Sequence, residues 1–299
     1  MKSNQKAVLP LTPRSGGTAF SAMIIIYMIL TVLFQAVLGA ISVSETLYTA
    51  ICALVAPISI LIVLLVSGGY SKRNISYAFS VKGCNPLYFV VALTFAGGML
   101  FGLGFVNGLI SSGLSKLGVT VSSLSLDLSS VKNLVIFSVV LALVPAVFEE
   151  LFFRGLMFNS LSGAKAWQSV LFVSVCFALY HLSATQFLYQ LIYGALLCVL
   201  AYASKSVLPC VFAHFLNNFT ILLLTYLQIE IDLYNGLIIL LGVVLLAVSA
   251  VLTIAIMKND GKEREENRSS DDIKEFWLPT GLFGSAICLV LIISGLFVG

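Results

Sequence analysis

Nine stretches of this chain are apolar for nineteen residues or more: 19–43, 47–66, 87–110, 133–161, 165–183, 186–204, 207–228, 234–257 and 277–298. A helix of about 20 apolar residues crosses a hydrocarbon core of about 30 Å. The pattern predicts an all-α, polytopic transmembrane bundle of nine spans, or eight, because in lipid the backbone must satisfy its own hydrogen bonds. Composition agrees, with 60% hydrophobic and 10% charged residues and a mean hydropathy of +1.07. No soluble globular domain has these values. The first run is about 25 residues, longer than a signal-peptide core of ~7–15, so it is read as a retained span. A net charge of +3 without a basic patch interleaved with aromatics excludes nucleic acid as a partner. The six cysteines are scattered without a CxxC spacing and read as small buried residues.

Charge placement orients the bundle. With the N-terminus cytosolic and the spans alternating, fourteen of the sixteen basic residues fall on the cytosolic side; only Lys116 and Lys132 fall outside. The positive-inside rule favours this orientation. It describes a multi-pass integral membrane protein, in the plasma membrane if the source is bacterial, with an external C-terminus. The expected organisation is a cytosolic segment over 1–18, a helical domain over 19–257, a charged cytosolic linker over 258–276 and a last helix over 277–299. Gly97, Gly98, Gly102, Gly104 and Gly108 in the third run read as small-residue packing positions. The Ser/Gly-rich stretch 111–132 reads as an outer loop with room for a short surface helix.

The fourth run carries Glu149 and Glu150, the only acidic residues between Asp127 and Glu230. Carboxylates at membrane depth cost several kcal/mol and mark function by default. Arg154 follows Glu150 by four residues and shares its helical face, so that pair neutralises itself. Glu149 points about 100° away and needs partners from other helices. Pro145, one turn before Glu149, removes a backbone donor and predicts a kink. Both histidines of the chain, His181 and His214, lie in apolar runs, and Asn218 follows His214 by one turn. Counting ~1.5 Å per residue along successive helices returns His181 to within a turn of Glu149. The same count leaves His214 ~8 Å and Asn218 ~3 Å on its cytosolic side.

A carboxylate with an imidazole takes a proton from water. A second imidazole and an amide donate hydrogen bonds to an oxyanion. Alternatively, Glu149, His181 and His214 form a sufficient ligand set for a catalytic zinc. A metal-free site is preferred, since no outer hydrogen-bond partner for either histidine is legible. Neither an HExxH nor a Gly-x-Ser-x-Gly motif is present.

The spacings Glu149-Glu150-x-x-x-Arg154, Phe177-x-x-x-His181 and His214-x-x-x-Asn218 resemble the three motifs of the CAAX prenyl protease 2 and bacteriocin-processing (CPBP, or Abi) family of intramembrane proteases. The resemblance covers roughly residues 130–225. It implies an intramembrane endopeptidase, metalloprotease-like or using a metal-free glutamate, with a cavity open to the cytosol. By that likeness Glu149 and His181 activate water, and His214 and Asn218 stabilise the oxyanion. Glu150 and Arg154 organise the site, and Phe177 packs beside His181. The expected partners are the bilayer and a membrane-associated protein or peptide substrate. Two rivals stand beside this reading. One is a non-catalytic scaffold or bacteriocin-immunity protein of the same fold. The other is a transporter, for which related halves are expected and none is seen.

Overall fold

The computed structural model describes residues 11–71, 79–119, 126–259, 271–277 and 281–296. Expectations for residues 1–10, 260–270 and the other intervening positions lie outside the described residues. Every regular element among the described residues is a helix. In chain order they are α1 (Pro13–Ala40), α2 (Glu45–Ser71), α3 (Leu87–Leu103), α4 (Phe105–Lys116), α5 (Val131–Ser160), α6 (Ala166–Tyr180), α7 (Phe187–Ser204), α8 (Leu208–Tyr226), α9 (Gly236–Asn259), α10 (Asp271–Phe276) and α11 (Leu282–Gly295). Seven spans among the described residues are long and apolar enough to cross a membrane, and α6 and α11 are shorter apolar helices. The protein is an integral membrane helical bundle. Large apolar side chains such as Val32, Leu65, Val251 and Val290 stand more than half exposed on its outside, as a lipid-facing surface requires.

The third run is a broken helix: α3 and α4 join at Gly104, and the regular helix extends to Lys116. Small residues let α3 and α9 approach closely. A Cβ on Gly98 would meet Leu246, and one on Gly102 the backbone of Gly242 and Val243. Such contacts replace the hydrophobic drive that lipid removes. At the far end of the chain, α10 and α11 pack on α1. The Gly284 amide donates to Ser21 Oγ at 2.9 Å. The expected linker is therefore shorter than 258–276. The helix α9 runs to Asn259, and α10 buries Ile273 and Phe276, which are apolar and i,i+3 on one face.

At the centre lies α5. It is α-helical over Val131–Phe137, Val144–Glu150 and Phe158–Ser160, and π-helical over Ser138–Leu143 and Leu151–Met157. The anticipated proline kink is thus absorbed by a wide turn just before Pro145. Isolated π turns recur at functional sites, and here two of them bracket the Glu pair. At the opposite end of the membrane from Ser160, Ser130 Oγ accepts from the Asn133 amide and caps the helix.

Candidate active site

Glu150 is fully buried, and its Oε1 accepts from Arg154 Nη1 at 2.9 Å and from His214 Nδ1 at 2.8 Å. The predicted i,i+4 pair is therefore present, with an unforeseen third member. Arg154 also donates from Nη2 to the Gly194 carbonyl at 3.1 Å, and its guanidinium lies 4.3 Å from the centre of the Phe177 ring. Gly194 is required there. A Cβ would come to 3.0 Å from Phe177 Cδ1 and 3.4 Å from Arg154 Nη2, tighter than side chains normally pack. Phe177 in turn meets the His181 ring edge-on at 4.7 Å.

Glu149 finds its partners on other helices, as its position predicted. The Tyr180 hydroxyl donates to its Oε1 at 3.3 Å, and its Oε2 faces His214 Nε2 at 3.9 Å. That gap is beyond a hydrogen bond but within ion-pair range. Oε2 is buried and has no hydrogen-bond partner. His214 thus stands between both carboxylates, one at each ring nitrogen. Counting charges, two carboxylates and one guanidinium leave one negative charge, so a single proton neutralises the cluster.

The level assigned to His214 by residue counting needs correction. It sits beside the Glu pair, not ~8 Å nearer the cytosolic end. The cause is the turn before α8: the Val207 amide donates to the Ser80 carbonyl at 3.1 Å, and Asn159 Nδ2 donates to Ser80 Oγ at 2.8 Å. These bonds start α8 level with the last turn of α5. The π turn at Leu151–Met157 also takes more residues per turn, which shortens the climb back to Glu150.

His181 is the residue after the last turn of α6, not a residue within a helix. At 15 residues α6 is about 22 Å long, short of the ~30 Å core. A polar turn follows. There Ser183 and Thr185 hydroxyls pair at 3.0 Å, and Leu182 adopts a left-handed φ of 50°. A non-glycine residue in that region is strained, and such strain gathers at functional sites. The Nδ1–H of His181 donates to the Phe177 carbonyl at 2.8 Å. A carbonyl can only accept, so the Nε2 lone pair is the free one.

Asn218 is on the same helix as His214 but does not touch the carboxylates through its amide nitrogen. Its Nδ2 donates to the Leu141 carbonyl at 3.1 Å. In an α-helix that carbonyl would accept from residue 145, which is Pro145 and has no N–H. Asn218 donates to it from a neighbouring helix. Its Oδ1 accepts from Asn217 Nδ2 at 3.1 Å, and Asn217 Oδ1 accepts from the Tyr189 hydroxyl at 3.1 Å. Tyr180, Tyr189, Tyr193 and Asn217 escaped sequence reasoning. Tyrosines are frequent in such chains, and only Tyr180, one residue before His181, stood close to a motif position. Tyr193 packs edge-on against His214 at 5.8 Å and stacks on Phe95 at 5.4 Å, walling off the imidazole.

The donors do not fit a zinc ion. Each histidine does have the outer partner that a metal site would need, Glu150 for His214 and the Phe177 carbonyl for His181, but no group of three His, Cys, Asp or Glu among the described residues lies close enough together to hold a metal. Among known proteins, residues 131–220 match the family described as type II CAAX prenyl endopeptidase Rce1-like. No curated protein and no solved structure matched the chain. The matched segment runs from the first residue of α5 to beyond Asn218, so it contains all three motifs.

Proposed function

Taking residues 131–220 as an Rce1-like endopeptidase domain, we propose that this protein hydrolyses a peptide bond of a membrane-associated protein or peptide by general-base activation of water, without a metal. The observation that carries this reading is Glu149 Oε2: buried, unpartnered, and turned toward His214 Nε2 at 3.9 Å. A water bound there gives a proton to Glu149 as its oxygen bonds to the carbonyl carbon. The oxyanion is met by His214 Nε2–H. The Glu150 carboxylate accepts from Nδ1 and fixes the direction of that ring. While Glu149 holds the proton, the cluster gains one positive charge as the substrate gains one negative charge, so the buried site stays balanced. The proton then passes to the departing amine nitrogen, directly or through His181 Nε2, and the C–N bond breaks. An oxyanion role for Asn218 requires its amide to turn away from Leu141. The Tyr180 hydroxyl holds Glu149 in register.

Access limits the substrate. Glu149 lies about 16 Å from the end of α5 at Ser160, so a scissile bond must reach that depth on a flexible end anchored in the bilayer. The test uses the purified full chain and a quenched peptide ending in a prenylated cysteine plus three residues, beside its unprenylated counterpart. Cleavage of the prenylated peptide, abolished by Glu149→Gln, supports the reading. Efficient cleavage of unfolded casein with no preference for a lipidated peptide would overturn it, as would full activity of Glu149→Gln.

A further inference from the structure

A second site lies away from the carboxylates, at the end of the bundle where α3 begins and α7 and α9 finish. A cavity of about 220 Å³ there is lined by Lys82, Lys205, Asn85, Tyr88, Tyr202 and Met257, among others. It is smaller than the roughly 300 Å³ at which sites for drug-sized ligands begin, and it suits a head group. None of the described residues lining it is acidic, and two of them are lysines. Tyr202 also lines a second hollow of about 360 Å³ between α6 and α7, walled by Trp167, Val170, Leu171, Ala195 and Val199. That hollow is apolar throughout. Ala195, Val199 and Tyr202 recur at helical spacing along α7, and Tyr202 is common to the linings of both hollows.

Both lysines are held by built structure. Lys205 closes α7 in a left-handed conformation with φ 56°, a costly arrangement for a residue with a side chain. Ser206, fully buried, donates from Oγ to the Lys82 carbonyl at 2.6 Å, and Ser204 Oγ donates to the Ser206 carbonyl at 2.9 Å. Tyr88 donates from the far wall to the Ala203 carbonyl at 3.0 Å. A cavity with two lysines in its lining, beside an apolar hollow that shares Tyr202 with it, complements one chemistry. We infer that this protein binds an anionic phospholipid here, with the phosphate between Lys82 and Lys205 and an acyl chain along Trp167, Val199 and Ala195. Basic pockets between membrane helices recognise lipid phosphates in this way.

The test is thermal unfolding of the full chain in a neutral detergent, titrated with four probes. These are dioleoyl phosphatidylglycerol, dioleoyl phosphatidylcholine, glycerophosphoglycerol and inorganic phosphate. The expected result is stabilisation by phosphatidylglycerol at roughly thirtyfold lower concentration than by phosphatidylcholine, the effect of two lysines near a lipid phosphate. The two soluble anions should not stabilise. Lys82→Gln with Lys205→Asn, chosen because asparagine tolerates positive φ, should abolish the preference. Val199→Trp, which fills the exposed groove, should weaken both lipids. Equal response to the two lipids overturns the inference. So does stabilisation by phosphate or the soluble head group equal to that by phosphatidylglycerol, or a preference that survives in the lysine variant. None of these readings depends on peptide cleavage, so the site stands or falls apart from the proposed hydrolysis.

Discussion

Neutralising one carboxylate of the pair and then the other should move stability in different directions. Glu150 is fully buried and accepts from both Arg154 and His214. Glu150→Gln keeps the shape and one acceptor but strands a guanidinium that is itself only 1% exposed. Breaking one side of a buried pair costs about 3–5 kcal/mol. The low end applies here. Arg154 retains the Gly194 carbonyl and the Phe177 ring. A loss of ~3 kcal/mol at the slope of soluble domains of comparable length, 2–4 °C per kcal/mol, lowers Tm by ~6–12 °C. Glu149→Gln removes a charge whose Oε2 has no hydrogen-bond partner and whose Oε1 has only the 3.3 Å bond from Tyr180. Nothing is stranded, and Tm should stay within ~3 °C of wild type or rise. The assay is thermal unfolding of both variants in one detergent, with expression yield and peptide cleavage in parallel. Glu150→Gln/Arg154→Met should recover part of the lost stability, because it removes the stranded cation. Equal destabilisation by the two single variants, or a larger loss from Glu149→Gln, would refute this division of the charges.

Tyr180→Phe removes a single hydrogen bond to Glu149, worth about 0.5–1.5 kcal/mol, and should lower kcat about two- to tenfold with a fall in Tm of no more than ~6 °C. Asn218→Leu removes the amide donor to the Leu141 carbonyl and should cost about 1–3 kcal/mol of stability; an unchanged Tm with lost cleavage would instead favour a direct role at the oxyanion. Gly194→Ala drives a methyl against Phe177 and should displace Arg154, costing about 1–3 kcal/mol as overpacked cores do, measured by the same unfolding. Chelator dialysis should leave cleavage intact, and loss of activity restored by stoichiometric zinc would reverse the metal-free proposal. A cysteine placed at the exposed Lys274 should be labelled only after the membrane is opened, and one at Lys116 from outside intact cells; the reverse pattern inverts the orientation.

The membrane bundle, the Glu150–Arg154 pair and the candidate histidines were legible in the chain itself, because each rests on local rules. Hydropathy over some twenty residues sets a span, and an i,i+4 spacing sets a helical pair. An isolated carboxylate in an apolar run announces that it needs a distant partner, as Glu149 did. Which partner, and at which atom, depended on how far each helix climbs and where each turn is pinned, and no residue count carries that. Two π turns shifted the rise of α5, and the Ser80 carbonyl fixed the start of α8. Both bear on the level at which His214 meets the carboxylates. The role of Asn218 was likewise divided between the two levels. Pro145 in the sequence dictated that a carbonyl four residues earlier would lack its α-helical donor, but only the packing of α8 on α5 decided that Asn218 would donate to it.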